Sequence, residues 1–321
     1  MLRWYAKHGR DLPWRRTRDP YAILVSELML QQTTVATVVP RYQEWLRRFP
    51  DFPTLAAASE RQVLHAWQGL GYYSRARHVH AAARQICRDH AGRCPETLEK
   101  LRALPGVGHY TAQAVLAFAF DRPVGIVETN IARLLARLSN MTQPIDAAPG
   151  RRLMWAQASQ LVPLRGAAIF NSALMDLGAT VCLPRTPKCG ICPVRKFCRA
   201  TNPADLPVKR PRPKKTRLSE HHALTIKRDQ ILLQQCRQRW RGMWMLPPLS
   251  SARTRAPLHT RKFPFTHHEV TLRVFAARAP SVRSGEQRWF HLRRLESIPI
   301  PSPHRRAIEA LVDSSELSVG R

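Results

Sequence analysis

The chain has 321 residues, 44% of them hydrophobic, which is enough for two globular domains that each bury a core. Its formal net charge of +30 attracts polyanions, so nucleic acid is the first partner to expect. The sequence contains no run of about 18 apolar residues and no signal-peptide pattern at residues 1–10, which argues against a membrane-spanning or secreted protein. We expect an intracellular protein, cytoplasmic or, in a bacterium, nucleoid-associated.

The first elements are a short helix, a loop and a longer helix. The stretch from Leu2 to Lys7 predicts the last part of a helix that would begin upstream of Met1. The stretch from Asp11 to Arg16 predicts a loop. Asp19 then provides an N-cap with proline at the first helical position, so we predict a helix from Pro20 to about Gln32.

Glu27 lies inside this predicted helix, surrounded at helical spacing by apolar residues, namely Ile23, Leu24, Leu28 and Leu30. Burial in such a stripe raises the pKa of a carboxyl group, and a carboxylic acid that stays protonated near neutral pH can act as a general acid. The alternative is a glutamate at the rim of the stripe with its carboxylate in water. At the end of the helix, Gln31 and Gln32 are polar groups suited to base edges.

Further helices, separated by short turns, are predicted as far as Ala179. Ser59 to Gln62 forms a capping box at the start of one of them. The glycine-rich stretch from Gly69 to Tyr73 ends that helix before a long one that runs to about His90. Because no alternating strand pattern interrupts this series, the first two hundred residues are predicted to be all-α.

A tight turn from Leu104 to Gly108 joins two of these helices. Its glycines, Gly106 and Gly108, can expose backbone N–H groups at the start of a helix, where phosphate binds well. The helix that follows runs from Tyr110 to Phe120, and a short connection then leads to Glu128. Taken alone, this segment is either an ordinary turn or a phosphate-binding hairpin followed by a carboxylate.

Four of the seven cysteines lie in one short segment with the pattern C-x6-C-x2-C-x5-C: Cys182, Cys189, Cys192 and Cys198. Such clustering is typical of metal ligands rather than of a secreted disulfide framework. Four thiolates on one loop can hold a zinc ion or an iron–sulfur cluster, and the spacing does not separate the two with certainty. The basic residues of this loop also suit contact with phosphate.

The composition changes after the cysteine segment. Residues 201–220 include a proline-rich, strongly basic stretch without helical period, which predicts a linker that is either solvated or in contact with nucleic acid. Short β-like runs and a closing helix follow, so the second domain is predicted to be α+β. The runs are His222 to Lys227, Gln230 to Gln235, Glu269 to Phe275 and Arg288 to Leu292, with a helix from about His304 to Val312.

Together, the Leu-Pro-Gly-Val-Gly hairpin, the acidic residue downstream and the four-cysteine loop resemble the helix-hairpin-helix DNA glycosylases with a 4Fe-4S cluster. Within that superfamily the chain is most similar to the adenine DNA glycosylase (MutY) family. The matching segments are Leu12-Pro13-Trp14-Arg15, Ser26 to Thr33, Gly69 to Tyr73 and Met175 to Ala179. This resemblance favours a 4Fe-4S cluster over zinc. It implies a mostly α fold, with a glycosylase domain at 1–200 and its cluster loop at 182–198.

The resemblance also implies a MutT/Nudix-like domain at 221–321 that reads 8-oxoguanine. The similarity here is weaker and rests on Gly242-Met243-Trp244 and on Phe265-Thr266-His267, so Thr266 and His267 are expected to contact DNA. A Nudix hydrolase needs an acidic R-E-x-x-E-E segment, and the sequence has none after Gly242. We therefore expect this domain to recognise its ligand without hydrolysing it.

The activity that the resemblance implies is removal of adenine mispaired with 8-oxoguanine or guanine from double-stranded DNA, by a monomer. Glu27 matches the family's general acid. Tyr110 matches a position beside the reacting sugar that holds a Schiff-base lysine in related lyases. Because tyrosine cannot form a Schiff base, the chain is expected to be a monofunctional glycosylase.

Several further residues are expected to contact DNA. The target base must leave the helix stack, so Gln31, Gln32 and Tyr72 are candidates for filling the gap. Arg15 lies in a matching signature segment, and Gly106 and Gly108 form the hairpin.

The sequence departs from the family at Glu128. The family has an aspartate there, whose carboxylate stabilises the oxocarbenium-like sugar while Asn130 helps to hold it. The side chain of Glu128 is one methylene longer, and misplacement by about 1 Å can cost on the order of a hundredfold in rate. Glu128 therefore leaves open a lesion-binding protein with little catalysis. A second alternative is a glycosylase for another mispaired base, such as thymine opposite guanine, although Glu27, Gln31, Gln32 and the second domain argue against it.

Overall fold

The computed structural model describes residues 1–211, 215–249, 256–265, 267–278 and 286–313. Contacts between residues divide the chain into two compact units, Met1–Ala57 with His78–Pro211, and Ala58–Arg77 with Arg212–Arg321. We call them the helical unit and the C-terminal unit. The division after Pro211 falls within the predicted linker at 201–220, but the segment Ala58–Arg77, which was predicted to belong to the first domain, groups with residues far along the chain.

The part of the chain up to Thr180 is helical, and no strand occurs between residues 21 and 179, all of which the structure describes. The helices are α1 (Leu2–His8), α2 (Pro20–Leu30), α3 (Val35–Arg48), α4 (Phe52–Ala57), α5 (Glu60–Ala66), α6 (Ser74–Asp89), α7 (Leu98–Arg102), α8 (His109–Phe120), α9 (Thr129–Leu138), α10 (Ala148–Leu161) and α11 (Ala167–Thr180). The predicted all-α character of this region is confirmed. So is the capping box of α5, in which the Ser59 side chain and Gln62 cap each other.

Helix α2 is the central helix of the helical unit. The carboxylate of Asp19 accepts a hydrogen bond from the backbone N–H of Tyr21 at 3.0 Å and so caps the helix, with Pro20 at its first position. Every residue from Tyr21 to Met29 is buried. A helix that is apolar on all sides lies inside a core, and here the buried set includes Glu27.

A second apolar cluster joins α8, α9, α10 and α11. It includes Ala114, Ile131, Leu134, Met154 and Leu177. Every residue of helix α9 from Ile131 to Arg137 is buried. Its two arginines are therefore drawn into the interior of the unit.

The C-terminal unit contains two small sheets and a helix. The strands are β1 (Thr216–Leu224), β2 (Ile226–Lys227), β3 (Gln230–Gln235), β4 (Trp244–Met245), β5 (His259–Phe265), β6 (His268–Ala276) and β7 (Gln287–His291), and the helix is α12 (Ser302–Asp313). The first sheet has the order β1-β6-β5, with β1 parallel and β5 antiparallel to β6. In the second, β3 pairs with β2, β4 and β7, in each case antiparallel.

The α+β character of this unit is confirmed, with differences in detail. The predicted linker at 201–220 is shorter than expected, because β1 begins at Thr216 and pairs with β6 from that residue onward. The prediction also missed β5, whose sequence is basic and contains Pro264. Among the described residues β5 is an edge strand, a position where proline is tolerated because one side needs no N–H donor.

The C-terminal unit has an apolar core of its own. Strand residues such as Ile231, Leu233 and Val274 pack there with Ile300 and with Ile308 of α12. Thr266 lies outside the described residues. In the part of the chain that the structure describes, no helix combines the length and apolar character needed to cross a membrane.

Candidate active site

A cavity of about 590 Å³ in the helical unit brings together the four predicted catalytic residues and two of the predicted DNA contacts. The predicted residues among its lining are Arg15, Glu27, Gln31, Tyr110, Glu128 and Asn130. They come from the loop before α2, from α2 itself, and from the first residues of α8 and α9. Polar groups that converge in a largely enclosed pocket are the usual arrangement of a small-molecule or base-binding site.

Glu27 is the most deeply buried acidic group of this cavity, with 4% of its surface exposed. Burial raises the pKa of its carboxyl group to about 7, and the negative charge of Glu128 acts in the same direction. A hydrogen bond with Tyr110 and the charge of Arg15 oppose that rise. Glu27 can therefore be protonated near neutral pH, as the apolar stripe predicted, and can donate a proton into the cavity.

Tyr110, in the first turn of α8, faces both carboxyl groups. Burial raises the pKa of its hydroxyl group well above the ordinary value, and the charges of Glu27 and Glu128 raise it further. The hydroxyl therefore stays protonated and donates its hydrogen bond to Glu27. A neutral phenol in this position can orient Glu27 but offers no amine for covalent chemistry.

Glu128 is the N-cap of α9. Its carboxylate accepts hydrogen bonds from the backbone N–H of Asn130 at 2.8 Å, from that of Ile131 at 2.9 Å, and from the Asn130 side-chain amide at 3.2 Å. Burial raises the pKa of Glu128, while these hydrogen bonds and the charge of Arg133 hold it down. The longer side chain thus reaches the start of the helix, where the partial positive charge of the helix dipole stabilises an anion.

Arg133 extends this network away from the cavity, and the sequence interpretation missed it. Its guanidinium donates to Asn130 Oδ1 at 2.8 Å, to the Gly178 carbonyl at 2.7 Å and to the Cys182 carbonyl at 2.8 Å. Gly178 is required here, since an added Cβ would lie 2.7 Å from the Asn130 Cβ. No signal in the sequence marks this burial, because Arg133 lies on the polar side of the amphipathic helix α9, opposite Ile131 and Leu134, and such a side is usually solvated.

Arg15 is engaged in an ion pair inside the protein. It donates to both carboxylate oxygens of Asp176, at 2.7 and 2.8 Å, and Arg10 binds the same carboxylate. Although burial acts to raise the pKa of Asp176, the hydrogen bonds from Arg15 and Arg10 hold it below its ordinary value. The structure therefore gives Arg15 a role in fixing the cavity wall, and its contact with DNA stays a prediction.

The predicted hairpin lies between α7 and α8. Gly106 has φ of +76°, and a Cβ on it would come within 2.5 Å of the His78 Cβ, so glycine is required there. Gly108 is the N-cap of α8. Because both glycines are exposed and the first N–H groups of a helix lack intrahelical partners, this end of α8 suits a phosphate group.

The other predicted DNA contacts lie in different places. Gln31 lies at the end of α2, with its amide 3.4 Å from the Thr111 hydroxyl, and the exposed Gln32 beside it has φ of +56°. Tyr72 and His267 belong to the C-terminal unit. His267 lies in the turn between β5 and β6, and its carbonyl accepts a hydrogen bond from the Thr216 N–H at 3.0 Å. The predicted DNA contacts are therefore divided between the two units.

The four predicted metal-binding cysteines line a separate cavity of about 340 Å³: Cys182, Cys189, Cys192 and Cys198. Burial raises the pKa of the Cys192 thiol, and the other three cysteines add to the effect through their charges. Among the described residues, no three histidine, cysteine or acidic side chains form a site for a single metal ion. Four cysteine sulfurs around one cavity are the donor set that holds an iron–sulfur cluster.

Arg137 connects the cysteine loop to α9. Its buried guanidinium lies 3.2 Å from the Cys182 sulfur and donates to the carbonyls of Leu183 and Pro184, both at 2.7 Å, and of Leu206 at 3.1 Å. A fixed positive charge beside thiolates stabilises them. The cluster would cross-link residues 182–198 into a fixed loop on the helical unit.

Comparisons with known proteins agree with this geometry. Residues 25–157 match the family model described as HhH-GPD superfamily base excision DNA repair protein. Residues 182–198 match that of the iron-sulfur binding domain of endonuclease III, so the cysteine loop is an iron–sulfur site. These two matches cover the cavity helices as far as α10, and the cysteine loop.

Curated relatives and solved structures extend the likeness. The adenine DNA glycosylase of Homo sapiens is 45% identical over 213 residues, which are 62% of this chain but 38% of the human protein. That of Mycolicibacterium smegmatis is 43% identical over 200 residues, 62% of this chain and 67% of the relative. A thermostable thymine-DNA glycosylase structure is 31% identical, with a TM-score of 0.56, over 62% of this chain and 91% of that one.

The chain thus spans well under half of the human relative and two thirds of the mycobacterial one. The matched part is 62% of this chain in each case. On these likenesses, the chain belongs to the HhH-GPD superfamily of base excision DNA repair proteins and, within it, to the adenine DNA glycosylase family.

Proposed function

We propose that the chain is a monofunctional DNA glycosylase that hydrolyses the N-glycosidic bond of adenine mispaired with 8-oxoguanine or guanine. The observation that carries the proposal is the pair of carboxyl groups in one cavity, Glu27 and Glu128: burial raises the pKa of both, while the backbone N–H groups bonded to Glu128 favour its anion. Such a pair is the usual arrangement for a reaction that needs an acid at the leaving group and an anion beside a cationic sugar. The names of the curated relatives support adenine as the base.

In this proposal Glu27 acts on the base. Its proton passes to the adenine ring, so that the electron pair of the breaking C1′–N bond is taken up by a neutral leaving group. The buried position of Glu27 keeps the proton available near neutral pH, and the Tyr110 hydroxyl holds the carboxyl group in place. Water adds to the sugar as a hydroxyl group, and its other proton replaces the one that Glu27 gave to the base.

Glu128 acts on the sugar. Its negative charge stabilises the oxocarbenium-like transition state, and the N–H groups of Asn130 and Ile131 fix the direction of the carboxylate. Because the carboxylate is already held at the start of α9, no reorganisation is needed as positive charge develops. Tyr110 lines the same cavity but has no amine with which to attack the sugar, so its position supports a hydrolytic, monofunctional reaction.

The duplex is proposed to bind across the hairpin with the adenine turned out into the cavity. A cavity of about 590 Å³ accommodates a purine base. Gly106 and Gly108 would bind phosphate at the start of α8, while Gln31, Gln32 and Tyr72 would occupy the gap left in the stack. The C-terminal unit is proposed to be MutT/Nudix-like and to read 8-oxoguanine through Thr266 and His267.

A second candidate is release of thymine opposite guanine, which the likeness to a thymine-DNA glycosylase structure favours. The third is lesion binding with little catalysis, because Glu128 stands where an aspartate was expected. One single-turnover experiment separates the three. Adenine release from 8-oxoguanine:A and G:A duplexes is compared with thymine release from G:T, for the wild type and for Glu128→Asp.

Each outcome of this experiment supports one candidate. Rapid adenine release by the wild type, with no thymine release, supports the proposal. Release of thymine alone favours the second candidate. Tight binding without base release, with release restored in Glu128→Asp, would establish the lesion-binding protein instead.

A further inference from the structure

The segment that carries Tyr72 is held within the C-terminal unit by hydrogen bonds to one short stretch of chain. The Gln68 side-chain amide donates to the Ile298 carbonyl at 2.7 Å. Arg305 donates to the same carbonyl at 2.9 Å, to that of Leu295 at 3.1 Å, and to Gln68 Oε1 at 3.4 Å. A ring nitrogen of His65 lies 3.1 Å from the Glu296 carbonyl. The amide nitrogen and the amide oxygen of Gln68 are therefore both hydrogen-bonded to residues some 230 positions away along the chain.

The turn that follows Gln68 is strained and holds Tyr72 outward. Gly71 has φ of +70° and Tyr72 has φ of +47°. A positive φ costs free energy at Tyr72 because this residue, unlike glycine, has a side chain. Arg75 and the Trp67 indole both donate to the Gly71 carbonyl at 3.1 Å, and the Arg75 guanidinium lies 5.6 Å from the centre of the Tyr72 ring. Tyr72 is nevertheless 43% exposed. A strained turn with an exposed aromatic ring persists only where its surroundings fix it.

Ile298 is a rigid anchor for this turn. It is 2% exposed and belongs to the apolar core of the C-terminal unit, together with Ile300 and Ile308 of α12. Arg305 lies on α12 itself. Gln68 thus connects the turn directly to the core and to the closing helix of the unit that is proposed to read 8-oxoguanine.

We infer that Gln68 and Arg305 are positioning residues for Tyr72, so that the C-terminal unit sets the direction in which this ring enters DNA. The inference rests on the proposed role of Tyr72 in filling the gap in the stack. Neither residue needs to touch DNA. Loss of either one lowers affinity for a lesion duplex by letting the turn relax, and it does so only while the Tyr72 ring is present.

A double-mutant cycle tests this inference. The dissociation constant is measured for a duplex with 8-oxoguanine opposite a non-cleavable adenosine analogue, so that the result does not depend on catalysis. The variants are Gln68→Ala, Arg305→Ala and Tyr72→Ala, together with each of the first two combined with Tyr72→Ala. Arg306→Ala, which removes the exposed neighbouring arginine of α12, is the matched control for charge, and thermal unfolding by circular dichroism shows whether each variant folds.

The expected result is non-additive. Gln68→Ala and Arg305→Ala each weaken binding about three- to tenfold, as for the loss of one or two partly buried hydrogen bonds, and Arg306→Ala weakens it less. In the Tyr72→Ala background the same changes have less than a twofold effect. Equal losses in both backgrounds, or no loss in either single variant, overturn the inference. Failure of the proposed function has a different signature: the wild type binds the duplex but releases no adenine from its cleavable counterpart.

Discussion

The hydroxyl group of Tyr110 donates a hydrogen bond to the buried carboxyl group of Glu27 and so opposes the rise in pKa that burial imposes on it. One residue thereby orients the proposed acid and sets the pH range in which it holds its proton. The balance between burial and this hydrogen bond leaves Glu27 with a pKa of about 7.

The first prediction concerns pH. Because Glu27 must be protonated to act as an acid and its pKa is about 7, the rate constant for adenine release should fall about tenfold per pH unit above pH 7, and it should fall again at acid pH as Glu128, whose pKa burial raises, becomes protonated. Glu27→Gln should lower the rate constant by a factor on the order of 10² to 10⁴. Single-turnover rates between pH 5 and about pH 9 measure both effects. A rate that rises above pH 7 would show that the ionised carboxylate is the active form.

The second prediction is that Tyr110→Phe moves the falling limb of this pH profile upward. Removal of the phenol takes away a hydrogen bond that favours the ionised carboxylate, so the pKa of Glu27 rises further. We expect a shift of about one pH unit. The same titration of single-turnover rates detects it. An unchanged profile would mean that Tyr110 does not bond Glu27 in the DNA complex.

The third prediction concerns Arg133. Its removal leaves the carbonyls of Gly178 and Cys182 without a donor and releases the Asn130 side chain. Arg133→Ala should lower the free energy of unfolding by about 2–4 kcal/mol, because buried acceptors are left unpaired. It should also slow adenine release, since Asn130 no longer holds Glu128. Denaturant titration and single-turnover kinetics test the two effects.

Arg152→Ala, at an exposed position of α10, provides the control for removal of one positive charge. If Arg133→Ala and Arg152→Ala lower the free energy of unfolding by the same amount, the Arg133 hydrogen bonds contribute nothing measurable to stability.

The fourth prediction concerns the cysteine loop. The purified protein should contain iron and sulfide in equal amounts without zinc, and should absorb visible light. Cys192→Ser should remove iron and lower stability, whereas Cys236→Ser, outside the loop, should leave the metal content unchanged. Elemental analysis of the three proteins measures this. Stoichiometric zinc without iron in the wild type would contradict the cluster.

The sequence predicted the parts of this site that depend on local pattern. Glu27 was found because an acidic residue interrupts an apolar helix, and the hairpin because two glycines and a proline separate two helical patterns. The pairing of Asn130 with Glu128 was expected from the family resemblance. In each case the local structure depends on neighbouring residues alone.

What the sequence did not show depends on residues far apart along the chain. The bonds of Arg133 to Gly178 and Cys182 join positions 45 and 49 residues apart, and no local pattern specifies such a pair. The grouping of Ala58–Arg77 with the C-terminal residues has the same cause. Strand β5 was missed because Pro264 and its basic residues resemble a loop, and only its place at the edge of a sheet makes it a strand.

The fifth prediction concerns the stability that Asp176 provides. Its carboxylate is fully buried between Arg10 and Arg15, whose hydrogen bonds hold its pKa below the ordinary value of 3.8. A lowered pKa in the folded state stabilises the protein above pH 4, and this contribution is lost as the pH falls below 4 through the folded-state pKa.

Asp176→Asn leaves two guanidinium groups without their counter-charge and should lower the free energy of unfolding by about 3 kcal/mol at pH 7. Because the variant has no carboxyl group to protonate, its stability relative to the wild type should recover as the pH falls from 4 to 2, and denaturant titrations across that range measure the difference. A constant difference down to pH 2 would show that packing of the side chain, and not its charge, is what stabilises the wall of the cavity.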